Sequence, residues 1–400
     1  MRKSNSCKFI NLILIVLFAL NWNCSNAQKD FKVLPGACQT SEYLPLLKGK
    51  KVGVVVNQSS YIESVSLVDT LISSGVELIK IYSPEHGFKG NREDGALIRG
   101  GQHYSEDIPV ISLYGNSKKP SAENLANVEI MVFDLQDIGV RYYTYLSTMH
   151  YVMESCAEAG IPLIVLDRPN PNGHYVDGPF LELKHTSFIG MHPVPAVHGM
   201  TAGEYAGMIN GEYWLIDSIQ CDLTVIRCKN YDHGTAYDLP IYPSPNLRTM
   251  ESVYLYPSTG ILQGTIVSEG RGTEAPFQII GHPDFSDKSF SFIPRSIEGA
   301  SLNPKFKGQV CYGIDLRGLS PDSLRALAML NLSWLIRFYQ DLDKGAEFFT
   351  PYFLLMAGTT KLQEQIMMGL EADQIRESWV KDLEAYKKIR AKYLLYPDFE

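Results

Sequence analysis

From residue 51 the chain alternates short, nearly continuous apolar runs with segments whose apolar residues recur at helical spacing. Lys51–Val56 (KVGVVV), Glu77–Tyr82 (ELIKIY), Pro109–Tyr114 (PVISLY), Glu129–Leu135 (EIMVFDL) and Pro162–Leu166 (PLIVL) read as strands, with Cys221–Arg227 (CDLTVIR) as another. A helical pattern runs up to Ser74, and a second helix runs from about Thr144 to Ala159 and stops at Gly160. Thr201 and Glu204 form a capping box that predicts a helix from Ala202 to about Asn210. Strands apolar on both faces and separated by helices predict a parallel sheet covered on both sides. The fold class is therefore α/β, a Rossmann-like open and mostly parallel sheet.

Near residue 255 the pattern changes to a loop-rich, glycine-rich stretch, Ser268–Thr273 (SEGRGT), then a strand at Val310–Ile314 and helices at about Pro321–Gln340, Thr360–Gly369 and Ala372–Leu383. The expected organisation is a segment 1–27 apart from the fold, a Rossmann-like domain over 28–255, and a smaller α+β domain over 256–400.

The 1–27 segment has Arg2, Lys3 and Lys8 ahead of the apolar stretch Phe9–Leu20 and ends in Ser25-Asn26-Ala27, the pattern of a signal peptide. It predicts an exported, periplasmic protein. Acylation at Cys24 is the competing reading, disfavoured by Asn23 immediately before it. Elsewhere no apolar stretch reaches the length of a membrane span. Loss of those three cations takes the formal net charge from −8 to −11, and no basic block survives to attract nucleic acid or an anionic membrane surface. The five cysteines beyond the signal, Cys38, Cys156, Cys221, Cys228 and Cys311, show no CxxC pair, so neither a zinc site nor a disulfide framework is expected.

Candidate chemistry follows from position. Ligands bind open α/β sheets beyond the carboxyl ends of the strands, and every polar cluster here begins where a strand stops. After the first strand comes Asn57-Gln58-Ser59-Ser60 rather than a glycine-rich turn, and no GxxxxGK[ST] occurs, which argues against NAD or ATP. No cofactor and no metal is expected. Glu85 and His86 sit in Ser83-Pro84-Glu85-His86-Gly87; the carboxyl group suits a general acid, and the imidazole either orients it or binds substrate. The structural alternatives are a loop carboxylate and a satisfied histidine. At the end of the fourth strand Asp134 and Asp137 bracket Gln136, without the histidines a metal site would need. Asp137 is a candidate second carboxylate or a helix cap, and Arg141-Tyr142-Tyr143 offers a guanidinium beside two aromatic rings. In Asp167–Gly173 (DRPNPNG) two prolines fix the backbone around Arg168 and Asn170, for substrate or for a structural turn. His192 and His198 make only a weak metal pair; Asn246 and Arg248 lie in a turn; Glu269 and Arg271 look like a loop that closes over the crevice, with Glu274 a further carboxylate. No GxSxG or SxxK motif supports acyl transfer.

Taken in order, SPEHGF at 83–88, DLQDIGVRYYTY at 134–145, LDRPNPNG at 166–173, PAVHGMTAGE at 195–204, SPNLRT at 244–249 and SEGRGTEAPF at 268–277 resemble the NamZ family of exo-β-N-acetylmuramidases. The resemblance runs from about residue 45 to the C-terminus. It implies a Rossmann-like domain, a smaller C-terminal domain, a cleft between them, and hydrolysis of terminal N-acetylmuramic acid from non-reducing ends of peptidoglycan fragments. It makes Glu85 the acid. The second role stays open: a carboxylate as nucleophile or base, or the substrate's own 2-acetamido group with Asp137 or Glu269 orienting it. An exported sugar-acid binding protein without catalysis is the alternative from another class, and a metal-dependent hydrolase ranks third.

Overall fold

Side-chain parity divides the central sheet between two cores. In the computed structural model, which describes residues 32–85, 87–88, 102–105 and 107–400, seven strands form this sheet: β1 (Lys51–Val56), β2 (Glu77–Ser83), β3 (Gln102–Ser105), β4 (Ile108–Ser112), β5 (Ile130–Asp134), β6 (Leu163–Leu166) and β7 (Leu223–Ile226). Their order is β7-β6-β5-β1-β2-β4-β3. All neighbours run parallel except the edge strand β3, which pairs antiparallel with β4. Val52, Val54, Val56, Ile130, Val132, Ile164 and Leu166 face one core, with the helices Thr40–Leu47 and Leu67–Ser73. Val55, Met131, Phe133, Leu163 and Val165 face the other, against the helices Tyr145–Ala159 and Ala202–Gly211. The central strands β1, β5 and β6 are buried on both faces and show no apolar/polar alternation, whereas the edge strand β7 exposes Thr224. The expected signal segment and His86 lie outside the described residues.

The helices stop and start where local chemistry requires. Tyr145–Ala159 ends at Gly160 in the left-handed conformation (φ 64°). Thr201 and Glu204 form the reciprocal capping box of Ala202–Gly211. The helices expected over Pro321–Gln340 are Pro321–Leu327 and Ser333–Leu342, separated at Ala328 (φ 43°), while the single Ala372–Leu383 pattern is broken into Ala372–Glu377 and Val380–Arg390.

The second half contributes an antiparallel sheet of β8 (Ile279–His282), β9 (Ser291–Phe292) and β10 (Cys311–Asp315), ordered β8-β10-β9. The expected boundary at 255/256 falls inside one helix, Met250–Thr259. The second apolar core is continuous from Val55 and Met131 through Phe277 and Ile280 to Leu335 and Tyr386, and Val33–Glu400 forms one compact unit. The C-terminal segment returns to the first half: the Tyr396 hydroxyl donates to Asp167 Oδ2 (2.6 Å) and accepts from the Cys228 amide (2.8 Å). Cys38, Cys156, Cys221, Cys228 and Cys311 carry thiols.

Candidate active site

The strand-end loops of the first half and the 263–277 segment of the second enclose a cavity of about 290 Å³. Its wall includes Glu85, Tyr142, Tyr143, Thr144, Tyr256 and Arg271. Glu85 arrives there because β2 ends at Ser83 and Pro84 cannot extend the strand ladder. The turn that follows closes through the Gly87 amide and the Pro84 carbonyl (3.1 Å), with Gly87 at φ 76°, a conformation open to glycine. The Glu85 carboxylate is half-buried, and Thr144, at the start of the Tyr145–Ala159 helix, donates its hydroxyl hydrogen to Oε2 (2.8 Å). One carboxylate oxygen is thereby fixed, in the manner of a general acid positioned before substrate arrives.

Aromatic rings form much of the remaining wall. Tyr143 packs edge-on against Tyr145 (4.9 Å) and Tyr256 (5.8 Å), and Tyr256 packs against Phe277 (4.8 Å). Arg271 lies over Phe277 (5.1 Å), donates to Gln263 Oε1 (3.0 Å), and has its Nε 3.3 Å from Glu269 Oε1. Among the described residues, a ring-lined wall with one carboxylate and one guanidinium suits a sugar that carries an acidic substituent.

Of the residues singled out from sequence, Glu85, Tyr142 and Arg271 line this cavity together. Glu269 is buried one step behind it, held by Arg271 and by Lys305 Nζ (3.1 Å), and its carbonyl accepts from the Phe277 amide (2.7 Å). These contacts pin the 269–277 segment as a wall of the cavity.

The other candidates, Arg248 excepted, are placed inside the fold, and each has a physical reason to be there. Arg141 is buried; its Nη1 donates to the carbonyls of Pro179 (2.7 Å) and Val194 (2.8 Å), its Nη2 to those of Met356 (2.9 Å) and Ala357 (2.7 Å). Burial lowers its pKa to about 10. Arg168 makes a bidentate buried ion pair with Asp134, its Nη2 2.8 Å from Oδ2. Asn57 donates to the Tyr145 hydroxyl (2.8 Å) while its Oδ1 accepts from the Ser59 amide (2.9 Å). Gln136 spans to the carbonyls of Asp137 and Pro169 (both 2.8 Å), and Asn170 donates to Met200 and accepts from the Asn172 amide (both 2.9 Å). Asn246 donates to the Ala300 carbonyl (3.1 Å), and Arg248 approaches Glu274 at the surface (3.4 Å). His192 bonds His150 (2.9 Å) and stacks on Trp214. Among the described residues no group of three or more His, Cys, Asp or Glu is arranged to hold a metal.

Asp137 and His198 form a buried pair behind the tyrosines. Asp137 Oδ1 accepts from the Gly139 amide (2.7 Å), and His198 Nδ1 accepts from the Met200 amide (3.3 Å). His198 Nε2 lies 4.0 Å from Asp137 Oδ1, and neither Nε2 nor Asp137 Oδ2 has a hydrogen-bond partner among the described residues. Burial raises the Asp137 pKa to about 7, and lowers that of His198 to about 3, with Arg390 and Arg141 adding to the second effect. Both side chains are therefore driven toward their neutral forms.

Sequence reasoning missed Thr144, Tyr256 and Gln263. Thr144 was legible only as a helix start. Tyr256 sits in a helix whose apolar residues look like ordinary core, and Gln263 carries no motif.

Two family models match consecutive stretches of the chain: the N-terminal part of exo-β-N-acetylmuramidase NamZ over residues 52–251 and its C-terminal part over 254–396. A curated relative, the peptidoglycan β-N-acetylmuramidase NamZ of Bacillus subtilis (strain 168), is 38% identical over 373 residues, 89% of each chain. Two crystal structures of DUF1343 family proteins from Bacteroides fragilis NCTC 9343 share the fold. One is 44% identical with TM-score 0.85, covering 92% of this chain and 100% of its own. The other is 27% identical with TM-score 0.75, covering 91% and 99%. Matched along almost its whole described length, the chain belongs to the exo-β-N-acetylmuramidase NamZ family.

Proposed function

We propose that this protein is an exo-acting glycoside hydrolase that releases terminal N-acetylmuramic acid from the non-reducing ends of peptidoglycan fragments, with Glu85 as the general acid. The observation that carries the reading is the shared cavity: Glu85, oriented by Thr144, and Arg271 lie on one ring-lined wall. Glycosidic cleavage requires a proton on the leaving oxygen as the bond breaks, and Glu85 is placed to give it. The lactyl carboxylate distinguishes N-acetylmuramic acid from its neutral counterpart N-acetylglucosamine, and a guanidinium grips a carboxylate through two parallel hydrogen bonds. Arg271 fits that part.

The second group is read from charge. Glu269 is occupied by two cations, and Asp137 is buried and driven toward the neutral acid, a poor nucleophile. Both facts favour the substrate's own 2-acetamido oxygen as the group that attacks the anomeric carbon, after which Glu85, now deprotonated, activates water. The expected outcome of Glu85→Gln is a loss of about 10²- to 10⁴-fold in kcat on a disaccharide ending in N-acetylmuramic acid, with the far-ultraviolet circular dichroism unchanged. Near-normal turnover would remove Glu85 from the mechanism. Replacing the acetyl group of the substrate by mono-, di- and trifluoroacetyl is expected to slow hydrolysis progressively; a flat series would shift the second role to a protein group. The signal-like 1–27 segment supports export to the periplasm, where such fragments arise.

A further inference from the structure

A second cavity, of about 490 Å³, lies in the C-terminal half and plays no part in the chemistry above. Thr273, Phe290, Phe292, Ile293 and Arg295 bound it. Its size is within the range of small-ligand sites, and its lining combines half-buried rings with charge. Phe290 and Phe292 lie 6.1 Å apart, and Ile293 is 39% exposed. Arg317, also on the wall, is paired with Asp315 (2.6 Å). Arg295 is exposed, and among the described residues its guanidinium makes neither an ion pair nor a side-chain hydrogen bond. In a chain of formal net charge −8, an unengaged guanidinium beside apolar surface is a local inversion of sign.

The cavity adjoins the catalytic one. A single loop separates them: Arg271 faces the catalytic side, and Gly272, Thr273, Glu274 and Ala275 line the other. The rims are joined twice more. Ser244 and Leu247 belong to the catalytic wall, and the same turn reaches across through Arg248 to Glu274 (3.4 Å) and through Asn246 to the Ala300 carbonyl (3.1 Å), close in sequence to Ile297 on the second wall. The turn residues Asn246 and Arg248 therefore hold two cavities side by side.

We propose that this second cavity binds the leaving side of the substrate, the saccharide that continues beyond the cleaved bond, with Arg295 taking a carboxylate of that chain and the phenylalanines taking the apolar face of a sugar ring. The proposal rests on the glycosidase reading of the first cavity. A fragment of alternating sugars carries a further acidic sugar past the one removed, so the chemistry that selects the terminal residue also recurs along the leaving chain. Occupying both cavities would improve capture of long fragments without altering bond cleavage.

The test compares an aryl β-N-acetylmuraminide, which has no saccharide leaving group, with a fragment of four sugars ending in N-acetylmuramic acid. Arg295→Ala is expected to lower kcat/KM on the four-sugar fragment by about tenfold, mainly through KM, and Arg295→Glu by more, with the aryl glycoside unaffected. Equal losses on both substrates, or no loss on either, would overturn the proposal. Calorimetry gives a readout that does not depend on turnover: the Glu85→Gln protein should bind the four-sugar fragment about tenfold more tightly than the Glu85→Gln, Arg295→Ala double variant. If the unmodified protein cleaves neither substrate, the glycosidase reading fails, and the calorimetric difference still decides whether Arg295 holds a saccharide acid.

Discussion

Asp137 shows how a polar residue at a strand end can be decided by burial rather than by substrate. Its folded pKa of about 7 lies above the ordinary carboxylate value. Between those two values the unfolded chain has released the proton that the folded chain still holds. Stability therefore falls as pH rises through that window, and the loss is complete above pH 7. Asp137→Asn keeps the oxygen that accepts from Gly139 and removes the titration. The unfolding free energy of the variant, measured in urea at pH 5 and pH 8, should improve relative to the parent as pH rises, by a few kcal/mol over the full window. A pH-independent difference would place Asp137 in a solvated site. The same residue marks how far sequence reached. That Glu85, Tyr142 and Arg271 would meet was legible from strand ends and glycine-rich flanks. That Asn57, Gln136, Arg168 and Asn170 would turn inward was not, because a strand-end loop packed under a second half must satisfy its own buried carbonyls and amides, and the residues suited to that task are the same polar types suited to a ligand.

Elements were legible where one local interaction governs them. The Ala202–Gly211 helix begins where its capping box says, and Tyr145–Ala159 ends at the glycine that can turn left-handed. At Gly160 a side-chain carbon would meet nothing within 4 Å, so the cost of Gly160→Ala is purely conformational. It should reduce stability by about 1 kcal/mol, read from the urea midpoint at constant m-value; a larger loss would reveal packing at that position. Where one helix stops and the next starts was less legible in the C-terminal half. The 321–340 pattern carries no internal glycine or proline after Pro321, and its break at Ala328 is imposed by tertiary packing: the Leu330 amide donates to Asp177 Oδ2 (2.7 Å), and Arg376 donates to the Leu330 carbonyl (2.7 Å). The edge strand β3 escaped notice for a related reason, since Gln102–Ser105 has no apolar run to announce it.

For the whole molecule, the two halves are joined by buried polar contacts as well as by one apolar core. Arg141 gathers carbonyls at 179 and 194 from one half and at 356 and 357 from the other. Gly358 belongs to the same arrangement: it sits at φ 74°, and a side-chain carbon there would lie 2.9 Å from Arg141 Nη2. Arg141→Met should leave those carbonyls without a donor and cost roughly 3–5 kcal/mol. Urea unfolding checks the size, and kcat of the protein that remains folded should stay within a few-fold of the parent because the guanidinium does not reach the cavity. A loss of kcat without a loss of stability would place Arg141 in the chemistry instead. The clasp also bears on time. A cleft whose two sides share a buried cation has little freedom to open and shut between turnovers, so encounter and fit become a single event. Turnover then waits on the bond-breaking step and on the arrival and departure of sugars, rather than on any swing of one half against the other.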